Sequence, residues 1–144
     1  MVRFIPDMIS NVKYNIIYDL IQEGGHLLVS ADYLREIAEK ALLAQKVEPA
    51  NARLQADLLI EAELRGLPSH GLQRLPRLVA RLRAGLADPA ADGKARRTGA
   101  GAFTIDGERG LGPVVMMRAL ERLAAVTPEQ GIALASIRNA NHIG

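Results

Sequence analysis

Apolar residues recur at helical spacing up to about residue 85, and after about residue 100 they gather into short runs instead. A 3.6-residue period belongs to amphipathic helices, and short apolar runs bounded by turn residues belong to strands. One change of period therefore divides the chain into a helical part and a part that opens an α/β layer.

In the helical part, Ser30 is placed to cap a helix over about 31–45, with Asp32 in the favourable first turn. Leu34, Ile37, Ala38, Ala41, Leu42 and Gln45 share one face of it. Val47-Glu48-Pro49 breaks the pattern, and Pro49 or Asn51 opens the next helix, to about Arg65, with Leu54, Leu58, Leu59 and Ala62 as its buried stripe. Gly66 and Pro68 end that helix. A further helix is expected over about 75–84, with Pro76 tolerated in its first turn and Gly85 at its end. Leu75, Leu78, Val79 and Leu82 point one way, and Arg77 and Arg81 another.

Residues 86–100 read as a loop, from Asp88-Pro89, Asp92-Gly93 and Thr98-Gly99. A short strand over 102–105 ends at a turn, Asp106-Gly107. Gly110-Leu111-Gly112-Pro113 leads into a helix over about 114–125, and the apolar run Ile132–Ile137 after Gly131 reads as a buried strand. Two strands do not make a stable sheet without neighbours. The expected fold class is therefore α+β, a helical subdomain over 28–86 followed over 100–144 by the start of an α/β domain that is truncated in a fragment.

Residues 1–27 carry five isoleucines, against six in the remaining 117 residues. Ser10 and Gly24-Gly25 would bound a helix there, with Val12, Ile16, Ile17, Leu20 and Ile21 on one stripe. That segment is either an appended element or the first helix of the same domain.

Composition excludes several function classes. At 49% hydrophobic and 24% charged, the 144 residues suit a folded globular domain, its core built from Leu, Ala, Ile and Val because aromatics are only 3%. The absence of cysteine removes disulfides, thiolate metal sites and a cysteine nucleophile. No segment has the roughly 18 unbroken apolar residues of a membrane span, and Arg3, Asp7, Lys13, Asp19 and Glu23 interrupt the N-terminal apolar runs, so neither a span nor a signal peptide is expected and the reading is a soluble cytoplasmic chain. Between Arg65 and Arg97 eight basic residues face only Asp88 and Asp92. No aromatic residue interleaves them, which argues against nucleic acid as partner.

Two polar clusters carry candidate chemistry. Gly66-Leu67-Pro68-Ser69-His70-Gly71-Leu72-Gln73-Arg74 lies on a loop between helices, a common position for working residues. His70 has a side chain that exchanges protons near neutral pH, Arg74 offers a fork for a carboxylate, and Ser69 offers a hydroxyl beside the imidazole. Together they suit a small 2-hydroxy or 2-oxo acid. The same residues also allow a structural reading, in which Ser69 caps a helix, His70 meets a backbone carbonyl and Arg74 is a surface charge. A Ser-His nucleophile lacks a third group, and His26, His70 and His142 lack metal-ligand spacing. Gly107, Gly110 and Gly112 precede a helix, as in a phosphate cradle, but match the dinucleotide fingerprint poorly and read first as turn residues. The second cluster, Asn139-Ala140-Asn141-His142-Ile143-Gly144, follows a strand, where ligand sites are common.

Five segments in order resemble the malate/L-lactate dehydrogenase family: Leu64–Pro76, Arg81–Gly85, Asp106-Gly107 with Gly110–Gly112, Gly131–Ala135 and Asn139–Gly144. This is the group of non-Rossmann NAD(P)-dependent reductases that includes sulfolactate, ureidoglycolate and diketogulonate enzymes. The resemblance runs from about Val29 to Gly144. It implies a helical subdomain, a non-Rossmann nucleotide-binding domain, NAD or NADP as cofactor, a small carboxylate substrate and a homodimer. It implies that His70 donates the proton, Arg74 holds the substrate carboxylate and Ser69 supports them, with Asn139, His142 and Gly144 lining the cofactor and substrate pocket. Family members are longer, so the fragment is expected to be inactive alone. The alternative is a helical binding or dimerisation module that has kept the sequence and lost catalysis.

Overall fold

A computed structural model describes residues 29–142. The expected helix over 10–23 and the site candidate Gly144 lie outside the described residues. Helix α1 spans Ala31–Leu43 and starts as its sequence dictates: the Ser30 hydroxyl accepts from the Tyr33 N–H at 3.2 Å, with Asp32 in the first turn. Helix α2 spans Pro49–Leu64, and its cap is Glu48, whose carboxylate accepts from the Asn51 N–H at 3.1 Å. A 3-10 turn at Leu72–Arg74 leads directly into α3, Leu75–Arg83.

The face of α2 that is buried differs from the expected stripe. Ala52, Gln55, Ala56, Leu59, Ile60 and Glu63 are buried, whereas Leu54, Leu58 and Ala62 are only partly so. The reason is that α2 is covered by α1 on one side and by α4 and the turn before α3 on another. Ala38, Ala52 and Ala56 give the α1–α2 contact its close approach, and two polar residues, Gln55 and Glu63, fall on the covered side.

Strands β1 (Lys94–Arg97), β2 (Ala102–Asp106) and β3 (Leu134–Arg138) form a sheet in that order. β1 runs antiparallel to β2, with Lys94 opposite Asp106, and β3 runs parallel to β2, with Ile137 opposite Ile105. Helix α4, Gly112–Gln130, makes the crossover between the parallel pair. Residues 86–100 are thus not all loop. Lys94-Ala95-Arg96-Arg97 escapes recognition because it has no apolar alternation, and exposed charges are what an edge strand carries. The expected buried strand is also corrected. β3 alternates exposed and half-buried residues, and Ile132 and Leu134 are 76% and 59% exposed. Its apolar run reflects one covered face only, where Ala135 and Ile137 pack on Ile105, Val115 and Ala119. Helix α4 is longer than expected at both ends. Pro128 lies two residues from its end, where its missing N–H removes one intrahelical bond with little helix left beyond it to disrupt, and Gly131 ends the helix at φ 73°.

Consecutive helix positions point about 100° apart, and α4 uses this. Leu111 and Val114 join the core shared by α1, α2 and α3, while Val115 and Ala119 join the core under the sheet. Among the described residues no helix is long and apolar enough to cross a membrane.

At the carboxyl end of the parallel pair, the Asp106 carboxylate accepts from the Glu108 N–H at 3.1 Å, from the Asn139 amide at 3.1 Å and from Arg138 at 3.1 Å. These partners, the Glu108 N–H first, hold its pKa below the usual carboxylate value. A lowered folded-state pKa stabilises the fold above the unfolded value, near pH 4, and that contribution is lost as pH falls through the folded value. Asp106→Asn is therefore expected to flatten the fall in melting temperature between about pH 5 and about pH 2. Parallel acid curves for the two proteins would overturn this role.

Candidate active site

Helix α2 ends at Leu64, and the chain must turn back to start α3 at Leu75. Gly66, at φ 71°, makes the first bend. The return is fixed by Glu63. Its carboxylate, on a residue only 7% exposed, accepts the Leu72 N–H at 2.6 Å. Gly71 passes directly over it, and a Cβ at Gly71 would collide with the Glu63 carboxylate. A side chain longer than hydrogen at Gly71 is incompatible with this seat, so the glycine and the glutamate fix the loop as a pair.

This seat presents Ser69, His70 and Arg74 on one side. Ser69 Oγ lies 3.1 Å from His70 Nδ1 and engages that nitrogen, and among the described residues Nε2 has no hydrogen-bond partner. Arg74 donates to the Ser69 carbonyl at 3.3 Å. The sequence cluster after β3 arrives opposite. The His70 and His142 ring centroids are 5.4 Å apart and tilted by 42°. Desolvation, then the charge of Arg74, then His70, hold the His142 pKa below the usual histidine value. His142 therefore favours the neutral form beside the arginines.

Between these elements lies a cavity of about 220 Å³. Gln55, Leu58 and Leu59 of α2, His70, Arg74, Arg77, Leu78 and Arg81 around α3, and Ala140, Asn141 and His142 line it. Arg81 donates through Nε to the Asn141 side-chain oxygen at 2.8 Å, and the Asn141 amide donates to the carbonyls of Arg109 (2.5 Å) and Gly110 (3.1 Å). Among the described residues none of the three arginines has a carboxylate partner, and no carboxylate lines the cavity. Three arginines lining a space without acids suit an anion chemically. Among the described residues no three His, Cys, Asp or Glu side chains are grouped to hold a metal ion.

The structure thus brings His70, Ser69, Arg74 and His142 together. It does not bring Asn139 there, because its amide is spent on Asp106. Sequence reasoning missed Arg77, Arg81, Asn141 and Gln55 as lining residues. For the arginines a signal existed: Arg74, Arg77 and Arg81 stand three and seven positions apart, one helical face, within the basic stretch.

The glycines once compared with a phosphate cradle do something else. Cβ atoms at Gly107 and Gly112 would collide with Ala140 and with the backbone of Asn141 and His142, and one at Gly110 with the Ala91 carbonyl. The Gly107 and Gly110 N–H groups donate to the carbonyls of Arg138 and Gly107, each at 2.7 Å, and so are not open to a dinucleotide pyrophosphate.

The whole of residues 29–144 matches the model of the malate/L-lactate dehydrogenase family. The chain belongs to that family. An L-sulfolactate dehydrogenase of Methanocaldococcus jannaschii is 35% identical over 98 residues, which are 68% of this chain and 28% of that protein. A (2R)-3-sulfolactate dehydrogenase (NADP(+)) of Chromohalobacter salexigens is 35% identical over 118 residues, 81% of this chain and 35% of that protein. Among solved structures, a dehydrogenase from Sinorhizobium meliloti superposes with a TM-score of 0.81 at 51% identity, covering 82% of this chain and 37% of that one. The chain spans about a third of the length of the curated relatives it matches. Malate/L-lactate dehydrogenase family membership thus rests on the same stretch that builds the arginine-lined cavity.

Two outcomes are expected. Removal of the Glu63 carboxylate by Glu63→Ala leaves the Leu72 N–H unpaired and costs about 1–3 kcal/mol in urea unfolding; wild-type stability would refute the seat. In an NMR titration of the imidazole C–H signals, Arg74→Ala raises the His142 midpoint, since losing a neighbouring cation favours the charged ring. An unmoved midpoint would show that Arg74 does not act on His142.

Proposed function

We propose that this chain supplies the substrate side of an NAD- or NADP-dependent oxidoreductase that interconverts a small 2-oxo acid and its 2-hydroxy acid. The observation that carries the reading is the cavity itself, in which three arginines without acidic partners stand beside a paired imidazole. Arg74 takes the substrate carboxylate, in the charge-assisted geometry that guanidinium groups favour. His70, with Nδ1 engaged by Ser69, turns Nε2 to the substrate carbonyl oxygen and gives it a proton as the alcohol forms. In the reverse direction the same nitrogen takes the hydroxyl proton. His142, kept neutral by its surroundings, offers a hydrogen-bonding partner without adding a cation that would compete with His70 for the acid.

The nicotinamide, when bound, supplies the hydride. The family and the printed name of the Chromohalobacter relative support such a cofactor, and that name favours NADP. The described residues fit the acid rather than the dinucleotide, so no residue is assigned to the cofactor's phosphates. A non-catalytic binding module built on the same helices remains the second reading.

The test is oxidation of NADPH or NADH with 3-sulfopyruvate or oxaloacetate, in the whole protein that carries this segment. His70→Ala is expected to lower turnover about 100-fold to 10,000-fold, the usual contribution of a general acid. Arg74→Ala is expected to act mainly on the KM for the acid. Turnover in His70→Ala equal to wild type would refute the proton-donor role, and no reduction of any 2-oxo acid by the wild type would favour the binding module.

A further inference from the structure

Gln55 stands on the covered side of α2 between Ala52, Ala56 and Leu59, and it is 5% exposed. An apolar residue is the ordinary choice at such a position. Among the described residues its side-chain amide makes no hydrogen bond, although a buried amide is costly when unpaired. Neither amide atom is wholly sealed off. The open space that Gln55 borders is the arginine-lined cavity. We propose that Gln55 is a specificity-determining substrate contact, which reads a second hydrogen-bonding group on an acid whose carboxylate is held by the arginines. This rests on the acid-binding reading given above.

An amide suits that task because it both donates and accepts. Its NH2 can meet a distal carboxylate, sulfonate or carbonyl, and its oxygen can meet a hydroxyl. Leu58 and Leu59 on the same stretch of cavity wall offer no such bond. An acid with a plain hydrocarbon tail would leave the amide unpaired, and sites built around a polar contact discriminate strongly against ligands that lack it. The favoured ligand class is therefore a 2-oxo or 2-hydroxy acid with a second polar substituent, over one with an aliphatic tail.

The experiment compares L-malate with (S)-2-hydroxybutyrate, which share the carboxylate and the 2-hydroxyl and differ in the tail. Binding is measured by calorimetry on wild type, Gln55→Leu and Gln55→Glu. Leucine nearly conserves volume, so Gln55→Leu is expected to melt at or above the wild-type temperature. It should weaken L-malate about tenfold, the scale of one lost hydrogen bond, and change (S)-2-hydroxybutyrate by less than about twofold. Gln55→Glu should weaken L-malate further, by repulsion. An unchanged preference for L-malate in Gln55→Leu would overturn the assignment, and so would equal weakening of both acids with a lowered melting temperature, which marks a structural residue. Failure of wild type to bind either acid would overturn the acid-binding reading itself, a result distinct from the other two.

Discussion

The carbonyl oxygen of His142 occupies the space where a side chain on Gly112 would begin. The Asn141 and His142 side of the candidate site depends on that approach. The first turn of α4 can accept the 140–142 segment only because Gly112 has no Cβ, and Gly107 admits Ala140 in the same way. Asn141 then locks the segment, with its backbone N–H on the Gly110 carbonyl at 3.0 Å and its side chain between Arg81 and the turn after β2. His142 reaches His70 as a result. Glycines that look like ligand-binding residues in sequence act here by letting two pieces of backbone touch.

The same helix start holds the two cores together. Val114 is buried with the helices and Val115 with the sheet, so neither cluster can shift without moving the other. Close-packed cores transmit such displacements rather than absorb them. The cavity lies where this joint meets the Glu63-seated loop, which places its polar residues on rigid supports from three elements.

Much of this was legible in the chain. Ser30 and Gly85 mark helix ends through local capping and left-handed backbone, and those rules act over a few residues. His70 and Arg74 could be singled out because they share a loop, although that spacing left a structural reading open and the family resemblance tipped the choice. β1 was not, since Lys94-Ala95-Arg96-Arg97 has no period to read and becomes a strand only by pairing with β2. The buried face of α2 was misread because its polar members, Gln55 and Glu63, are buried for reasons lying elsewhere: a cavity for one, the Leu72 N–H for the other. Asn141 was likewise invisible as a structural lock, because its partners are Arg81 and the Arg109–Gly110 turn, far away in sequence.

The pairing of His70 with His142 has a consequence in time. One imidazole is set by the helical core and the other by the 139–142 segment, which has no fully buried residue and is tied by Asn139 and Asn141 to Asp106, Arg81 and the Arg109–Gly110 turn. Regions of few buried contacts open locally long before a protein unfolds as a whole. The lifetime of the intact imidazole pair is therefore set by release of the 139–142 segment, and amide exchange at Asn141 reports it, while the amides of α1 and α2 report the slower opening of the core. Across the same distance in sequence, the pair also closes one of the longest loops in the chain, so it forms after the local helices that frame it.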